Sequence, residues 1–260
     1  MTHGSLFSGI GGFDLAAEWI GWENKFHCEI NEFCQKVLKY HFPNSISYGD
    51  IKATDFSLWR NRIDVLSGGF PCQPFSNAGE QKGDADSRFL FEEMLRAIYE
   101  IKPKWIVAEN VRGITSKKFR KVYNKIQTSL ANSGYKFLPI LIPATSVGAA
   151  HERYRIWVIA YANGCGLQKS DSEFRQVNGI SKETPTQFTR NFATQWDIRK
   201  RSSGMLRKCD GVSFGLDEKT ISIGKWRKES IKAFGNAVVP QIPYQIFKAI
   251  EQFELINDNT

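Results

Sequence analysis

Short apolar runs alternate with amphipathic stretches from residue 4 to about residue 162, and this rhythm limits the chain more than any other feature. Buried strands of a parallel sheet read as continuous apolar runs, and the crossovers between them read as helices with one apolar face. Strands are expected at Ser5–Ser8, Lys25–Ile30, Ile46–Tyr48, Ile63–Leu66, Trp105–Ala108, Phe137–Ile142 and Arg155–Tyr161. Helices are expected at Phe13–Trp19, Glu32–His41, Phe89–Ile101 and Phe119–Ser133, the last stopped by Gly134. A further helix at Gln241–Phe253 closes the chain. Strand and helix in alternation make an α/β domain with a mostly parallel sheet.

Residues 163–228 break the rhythm. Gly, Ser, Thr, Asn and Lys dominate there and no period survives. Such a stretch is short of core to fold alone, and a structureless loop of that length is uncommon in a compact domain. The chain therefore divides into an α/β domain over residues 1–162, a small irregular lobe over 163–228, and a segment over 229–260 returning to the first domain. The net charge of +8 is uneven, with 14 Lys/Arg against 8 Asp/Glu in residues 163–232. A basic segment is the footprint of a polyanion partner, and it is equally the composition of a solvated loop. No run approaches the ~18 apolar residues of a membrane span, and the first residues lack a signal-peptide pattern, so a cytoplasmic location without a membrane partner is expected. Cysteines 28, 34, 72, 165 and 209 form neither a CxxC pair nor a regular spacing, which argues against a zinc site or a disulfide framework.

Cys72 stands in Gly69-Phe70-Pro71-Cys72-Gln73-Pro74-Phe75-Ser76, directly after the apolar run Ile63–Leu66. In open α/β sheets the crevice beyond the strand ends is where ligands bind. A cysteine on a proline-stiffened loop there is a candidate nucleophile, the more so if a nearby cation lowers its pKa from about 8.5. A free cysteine is also commonly a small buried hydrophobe. Leu6-Phe7-Ser8-Gly9-Ile10-Gly11-Gly12-Phe13 lies at the first strand-to-helix turn, where glycines let the backbone approach a ligand. Glu29, at the end of the second strand, suits a ribose diol, and Asp50 in Gly49-Asp50-Ile51 suits an adenine amino group. The glycines fall as G-x-G-G rather than GxGxxG, which favours a single adenosine over a dinucleotide. Glu109 follows the apolar run Trp105–Ala108 and should open into the crevice that holds Cys72; a carboxyl there can carry a raised pKa, or can simply start a helix. Arg153 and Arg155 alternate at the start of the seventh strand, on one face, suited to an anion or simply to solvent.

These motifs, with Gly235-Asn236-Ala237-Val238-Val239 near the end, occur in one order, and their order and wording resemble the bacterial and phage DNA (cytosine-5)-methyltransferases over residues 4–162 and 230–253. The resemblance implies a Rossmann-like S-adenosylmethionine-dependent methyltransferase sheet with helices on both faces, and a target-recognition lobe inserted where residues 163–228 stand. It implies a cofactor site made from Phe7, Gly9, Ile10, Gly11, Gly12, Glu29, Ile30, Asp50, Ile51, Gly69, Pro71, Asn236, Ala237 and Val238. S-adenosylmethionine would leave as S-adenosylhomocysteine, with no metal. Cys72 would add to carbon 6 of cytosine, making carbon 5 nucleophilic, while Glu109 holds ring nitrogen 3 and the exocyclic amino group. Arg153 would anchor the base carbonyl or a phosphate, and Arg155 would brace Glu109 or the Cys72 loop. The cytosine must leave the duplex stack for this chemistry, with Gln73 helping to fill the hole and Ser76 at a backbone phosphate. Arg199, Lys200, Arg201 and Arg227 are further expected DNA contacts; Ser213-Phe214-Gly215-Leu216-Asp217 is expected either to touch DNA or to pack. Two positions depart from the commonest pattern: His151 stands where many members have Gln, and Ala237 where Ser is frequent.

The expected enzyme is a monomer acting on duplex DNA, with a restriction endonuclease as a functional rather than physical partner. A tRNA cytosine methyltransferase with the same architecture is the nearest rival, and activity on duplex DNA against folded tRNA separates the two. A catalytically silent DNA-binding regulator would be free to lose Cys72, Glu109 and Arg153, all of which are present. A nicotinamide dehydrogenase would leave Pro71-Cys72-Gln73 and Glu109-Asn110-Val111 unexplained.

Overall fold

The computed structural model describes residues 1–71, 90–162 and 223–258. Cys72, Gln73, Ser76, Arg199, Lys200, Arg201 and residues 213–217 lie outside the described residues. Among the described residues a single seven-stranded sheet is formed by β1 (Thr2–Leu6), β2 (Glu23–Cys28), β3 (Ile46–Tyr48), β4 (Val65–Gly68), β5 (Trp105–Val111), β6 (Tyr135–Pro143) and β7 (Tyr154–Ala162). Their order is β3-β2-β1-β4-β5-β7-β6. The first five pair in parallel with one another, whereas β7 runs antiparallel to both β5 and β6. Helices α1 (Gly12–Trp19), α2 (Glu32–His41), α3 (Phe91–Ile101) and α4 (Arg120–Asn132) lie between strands, and α5 (Ile223–Asn236) and α6 (Gln241–Asp258) follow β7.

Period-two alternation builds a core on each face of the sheet. Leu66, Ile106 and Ala108 point to one side, where α3 and α4 cover them with Met94, Ile98, Val122 and Ile126. Val65, Trp105 and Val107 point to the other, where Phe13 of α1 and Ile242, Ile246, Phe247, Ile250 and Phe253 of α6 meet them. Those α6 spacings form one helical stripe, and burying each such side chain contributes at most ~1.5–3 kcal/mol. Phe247 stacks on Trp22 at 4.7 Å, and the indole N–H groups of Trp22 and Trp105 donate to Glu251 and Glu254 at 3.1 and 2.7 Å. A third cluster joins α2 to α5, with Val37 and Leu38 buried and Trp226 and Phe234 packed against them.

Most strands begin or end a few residues from their expected bounds, and α6 runs on to Asp258; two differences bear on the site. β5 runs three residues beyond Ala108 to Val111, because β7 continues to pair with it (Glu109↔Trp157, Val111↔Arg155) after β4 has ended at Gly68↔Ala108. Residues 223–228, expected to be aperiodic, are the first turns of α5, so the boundary expected at 228 falls inside a helix. Gly224 and a run of cations hide that helix in the sequence, but Trp226, Ala233 and Phe234 give it an apolar stripe toward α2.

Candidate active site

The turns after β1, β2 and β4 leave the sheet at one edge and open a cleft of about 950 Å³, at the upper end of ordinary ligand sites. The first turn is tight. Phe7, Gly9 and Gly11 have φ of 51°, 56° and 85°, three left-handed residues within five positions, so α1 can begin at Gly12. Phe7 bears a conformation that is uncommon outside glycine, and it forms part of the cleft wall. Ser8 fastens the turn to β2: its amide donates to the Cys28 carbonyl at 3.1 Å, and its Oγ accepts from the Cys28 amide at 3.2 Å.

Glu29 lies where β2 enters the cleft. The Gly9 amide donates to its Oε2 and the Asn31 amide to its Oε1, both at 2.8 Å. Each carboxylate oxygen accepts two hydrogen bonds, so both keep capacity for a ligand hydroxyl. Asp50 caps a short turn, with Oδ1 accepting from the Lys52 amide at 2.9 Å, and lines the same cleft. Ile30 is 68% exposed on the cleft wall, an apolar side chain left bare beside two carboxylates. Carboxylates for a diol and an amino group, beside bare Ile30 and Phe7 for a flat ring, fit the adenosyl part of S-adenosylmethionine. Ile51, Gly69, Pro71 and Asn236 complete the expected cofactor residues that reach the cleft.

Glu109, Arg153 and Arg155 occupy the same cleft. The Nε of Arg155 pairs with Oε1 of Glu109 at 2.8 Å. Burial nevertheless pushes the Glu109 carboxyl above its ordinary range, against the pull of Arg155 and Arg153. The other oxygen, Oε2, faces Gly69, where a Cβ would lie 3.4 Å away. Oε2 thus faces the residues that lead into Cys72. Arg153 donates from Nη1 to the Gly235 carbonyl at 2.7 Å, linking β7 to the end of α5. Asn110, buried, donates to the Phe70 carbonyl at 3.1 Å and so fixes the backbone just before Pro71.

Six expected site residues do not line the cleft: Ile10, Gly11, Gly12, Ala237, Val238 and Arg227. Ile10 is buried with α2, and a Cβ on Gly11 would meet the Phe42 ring at 2.5 Å. A Cβ on Gly12 would come within 2.9 Å of the Val238 carbonyl. Gly12 thus lies against the 235–239 segment, while Ile10 and Gly11 pack on α2 and Phe42. Arg227 is exposed on α5. Sequence reasoning passed over Asn31, which caps α2 by accepting from the Cys34 amide at 3.0 Å, and the α5 residues Glu229, Lys232 and Ala233 on the cleft wall. Asn31 carried a readable signal as the residue before a helical period. Cys28 and Cys34 also reach the cleft, but burial pushes both thiols up to about 12, so neither is an activated nucleophile.

Sheet order, glycine turn and paired carboxylates define an S-adenosylmethionine-dependent methyltransferase fold. The chain belongs to the C-5 cytosine-specific DNA methylase family, whose model matches residues 1–210. It is 34% identical over 198 residues to the Type II methyltransferase M.Eco47II of Escherichia coli, covering 75% of this chain and 45% of that protein. A prophage-encoded E. coli protein described as a DNA modification methyltransferase superposes with TM-score 0.56 at 30% identity, over 66% of this chain and 49% of that one. The Dnmt2 methyltransferase of S. pombe shares the fold over 97% of this chain and 99% of its own, with TM-score 0.64 at 15% identity. The chain spans 45%, 32% and 50% of the length of three of the curated relatives it matches. Among the described residues no helix is long and apolar enough to cross a membrane, and no cluster of three metal-ligating side chains occurs.

Proposed function

We propose that this protein methylates carbon 5 of a flipped-out cytosine in a specific duplex DNA sequence, through covalent addition of Cys72. The observation that carries this reading is the shared cleft. Glu29 and Asp50 stand ready for an adenosyl group there, and Glu109 with its bracing Arg155 lies in the same space. When bound, S-adenosylmethionine supplies an electrophilic methyl group, which an activated carbon 5 requires.

Glu29, Asp50, Ile30 and Phe7 would hold the cofactor. Cys72 immediately follows Pro71, a cleft residue, and its thiolate would add at carbon 6 of the base. Glu109 would hold a proton at Oε2 for ring nitrogen 3 and accept from the exocyclic amino group, offsetting the charge that grows on the ring. Arg155 fixes the orientation of that carboxyl. Removal of the proton at carbon 5 needs a base that neither the cleft residues nor the motifs single out. Residues 163–228 would choose the target sequence, with Arg199, Lys200 and Arg201 on the DNA backbone.

The test combines wild-type protein, S-adenosylmethionine and duplexes in which cytosine is replaced by 5-fluorocytosine. Fluorine blocks the final elimination, so a denaturation-resistant protein–DNA adduct is expected, and Cys72→Ala should give neither adduct nor methylation. Methylation persisting in Cys72→Ala would remove the thiol from the mechanism. Methylation of folded tRNA and not of duplex DNA would transfer the same chemistry to a different substrate.

A further inference from the structure

We infer that the stretch from Arg112 to Lys125 on the catalytic domain is a second binding surface for the DNA backbone, continuous with the active cleft and distinct in sequence from the basic segment 163–232. The inference rests on duplex DNA being the substrate. Residues 112–125 hold six cations (Arg112, Lys117, Lys118, Arg120, Lys121 and Lys125) and no Asp or Glu. Outside this stretch and residues 163–232, the chain carries 15 Lys/Arg against 19 Asp/Glu, so these are two cationic islands on an acidic remainder.

The fold displays the island outward. Ile114, Phe119, Val122 and Ile126 are buried and anchor the stretch to the core, while Arg112, Lys117, Arg120 and Lys121 between them are exposed. Among the described residues no carboxylate pairs with any of those four. Nor do they serve the helix they introduce. α4 begins at Arg120 with no acidic residue in its first turn, so Arg120 and Lys121 sit at the positive end of the helix dipole, where cations are unfavourable. Lys125 pairs with Glu92, but an arrangement that costs local stability and leaves Arg112, Lys117, Arg120 and Lys121 without a carboxylate among the described residues is accounted for by anions arriving from outside.

Position selects the partner. Val111 lines the cleft and Arg112 is the next residue; its guanidinium lies 5.5 Å from the ring of Tyr154, which sits between the cleft residues Arg153 and Arg155. A duplex with one nucleotide in the cleft would run its flanking phosphates past this rim. Contacts of this kind carry no sequence information and set affinity and register.

The experiment compares wild-type protein with the triple variant Lys117→Gln, Arg120→Gln and Lys121→Gln. Fluorescence anisotropy is measured on duplexes with and without the methylated site across a salt series. Affinity should fall by a similar factor, ~10-fold or more, on both duplexes. The slope of log affinity against log salt should flatten by about 0.9 for each phosphate that the variant no longer neutralises. The thermal midpoint should not drop, since unfavourable charges leave the start of α4, and calorimetric S-adenosylmethionine affinity should be unchanged. A variant that keeps the wild-type slope while the enzyme methylates duplex DNA would overturn the second surface alone. A midpoint that fell with an unchanged slope would make the cations structural and overturn it equally. Wild-type protein that bound folded RNA but no duplex would overturn both the functional reading and the partner assigned to this surface.

Discussion

Glu109 holds two opposed influences on one side chain. Burial favours its neutral form, and the guanidinium at 2.8 Å on Oε1 favours its charged form, with burial the larger effect. One of its oxygens is held by Arg155 and the other faces Gly69. Replacing Glu109 with Gln keeps the shape and removes the exchangeable proton. Turnover should fall ~100-fold or more, while cofactor and DNA affinities change little, because the interaction removed matters mainly in the transition state. Equal losses of affinity and turnover, measured by steady-state kinetics and calorimetry, would make Glu109 a structural carboxylate. Wild-type activity should also decline as pH rises through the raised Glu109 value, and Glu109→Gln should lack that limb. At this scale the sequence is informative where the signal is local. An apolar run stopping at a carboxylate marks Glu109, and alternation puts Arg153 and Arg155 on one face. The partner of Arg153 is not readable, because Gly235 lies 82 residues away and offers only a backbone carbonyl.

Elements meet here through glycine. α1 starts so close to the 235–239 segment that a methyl group on Gly12 would fall 2.9 Å from the Val238 carbonyl and 3.1 Å from its Cβ. Backbone cannot step aside as a flexible side chain can. Gly12→Ala should therefore cost ~1–3 kcal/mol, and at this size each kcal/mol lowers the thermal midpoint by roughly 2–4 °C. Cofactor affinity should fall as well, since Asn236 reaches the cleft from the same segment. An unchanged midpoint and affinity would show that α5 and its turn can shift freely. The tight approach of Val238 to Gly12 is hidden in the sequence, which marks a glycine without saying what approaches it. α5 is hidden for another reason: Gly224, Lys225, Arg227 and Lys228 outweigh Trp226 in any local pattern, and the apolar stripe makes sense only against α2.

For the molecule as a whole, the α/β class and the catalytic order of motifs are legible in the sequence, but the direction of β7 is not legible in the strand itself. Its residues alternate in the same way whichever way the strand runs. The signal lies in the connection, since only residues 144–153 separate β6 from β7, and a parallel crossover ordinarily needs a dozen or more. The same sheet buries a polar network beneath the first turn. Asp14 is fully buried on α1, and the Ser5 hydroxyl donates to its oxygens at 2.8 and 3.0 Å. Burial pushes its carboxyl from 3.8 up to about 7. Below about pH 4 both folded and unfolded chains hold this proton, and the buried group carries no charge penalty. As pH rises toward about 7 the unfolded chain releases the proton while the folded one keeps it, so stability is lost across that window. The loss is at most ~4 kcal/mol at ~1.4 kcal/mol per pKa unit. Asp14→Asn keeps an acceptor for Ser5 and removes the titration, so its stability relative to wild type should climb between pH 4 and pH 7 in denaturant unfolding. A constant difference would mean that Asp14 enters the fold ionised.

Synthesis of this chain leaves one face of the sheet waiting for its cover. Phe13, Val65, Trp105, Val107 and Trp157 all belong to the face that α6 covers, and each has been synthesised by residue 162. The stripe from Ile242 to Phe253 comes some ninety residues later, which at ~5–20 residues per second is roughly 5–20 s of translation. During that interval a nearly complete sheet trails from the ribosome with one oily side bare, and the basic residues 163–232 emerge before the sheet is closed. A nascent chain in that state is a natural client for chaperones, and a ribosome stalled between residues 163 and 241 would hold it there.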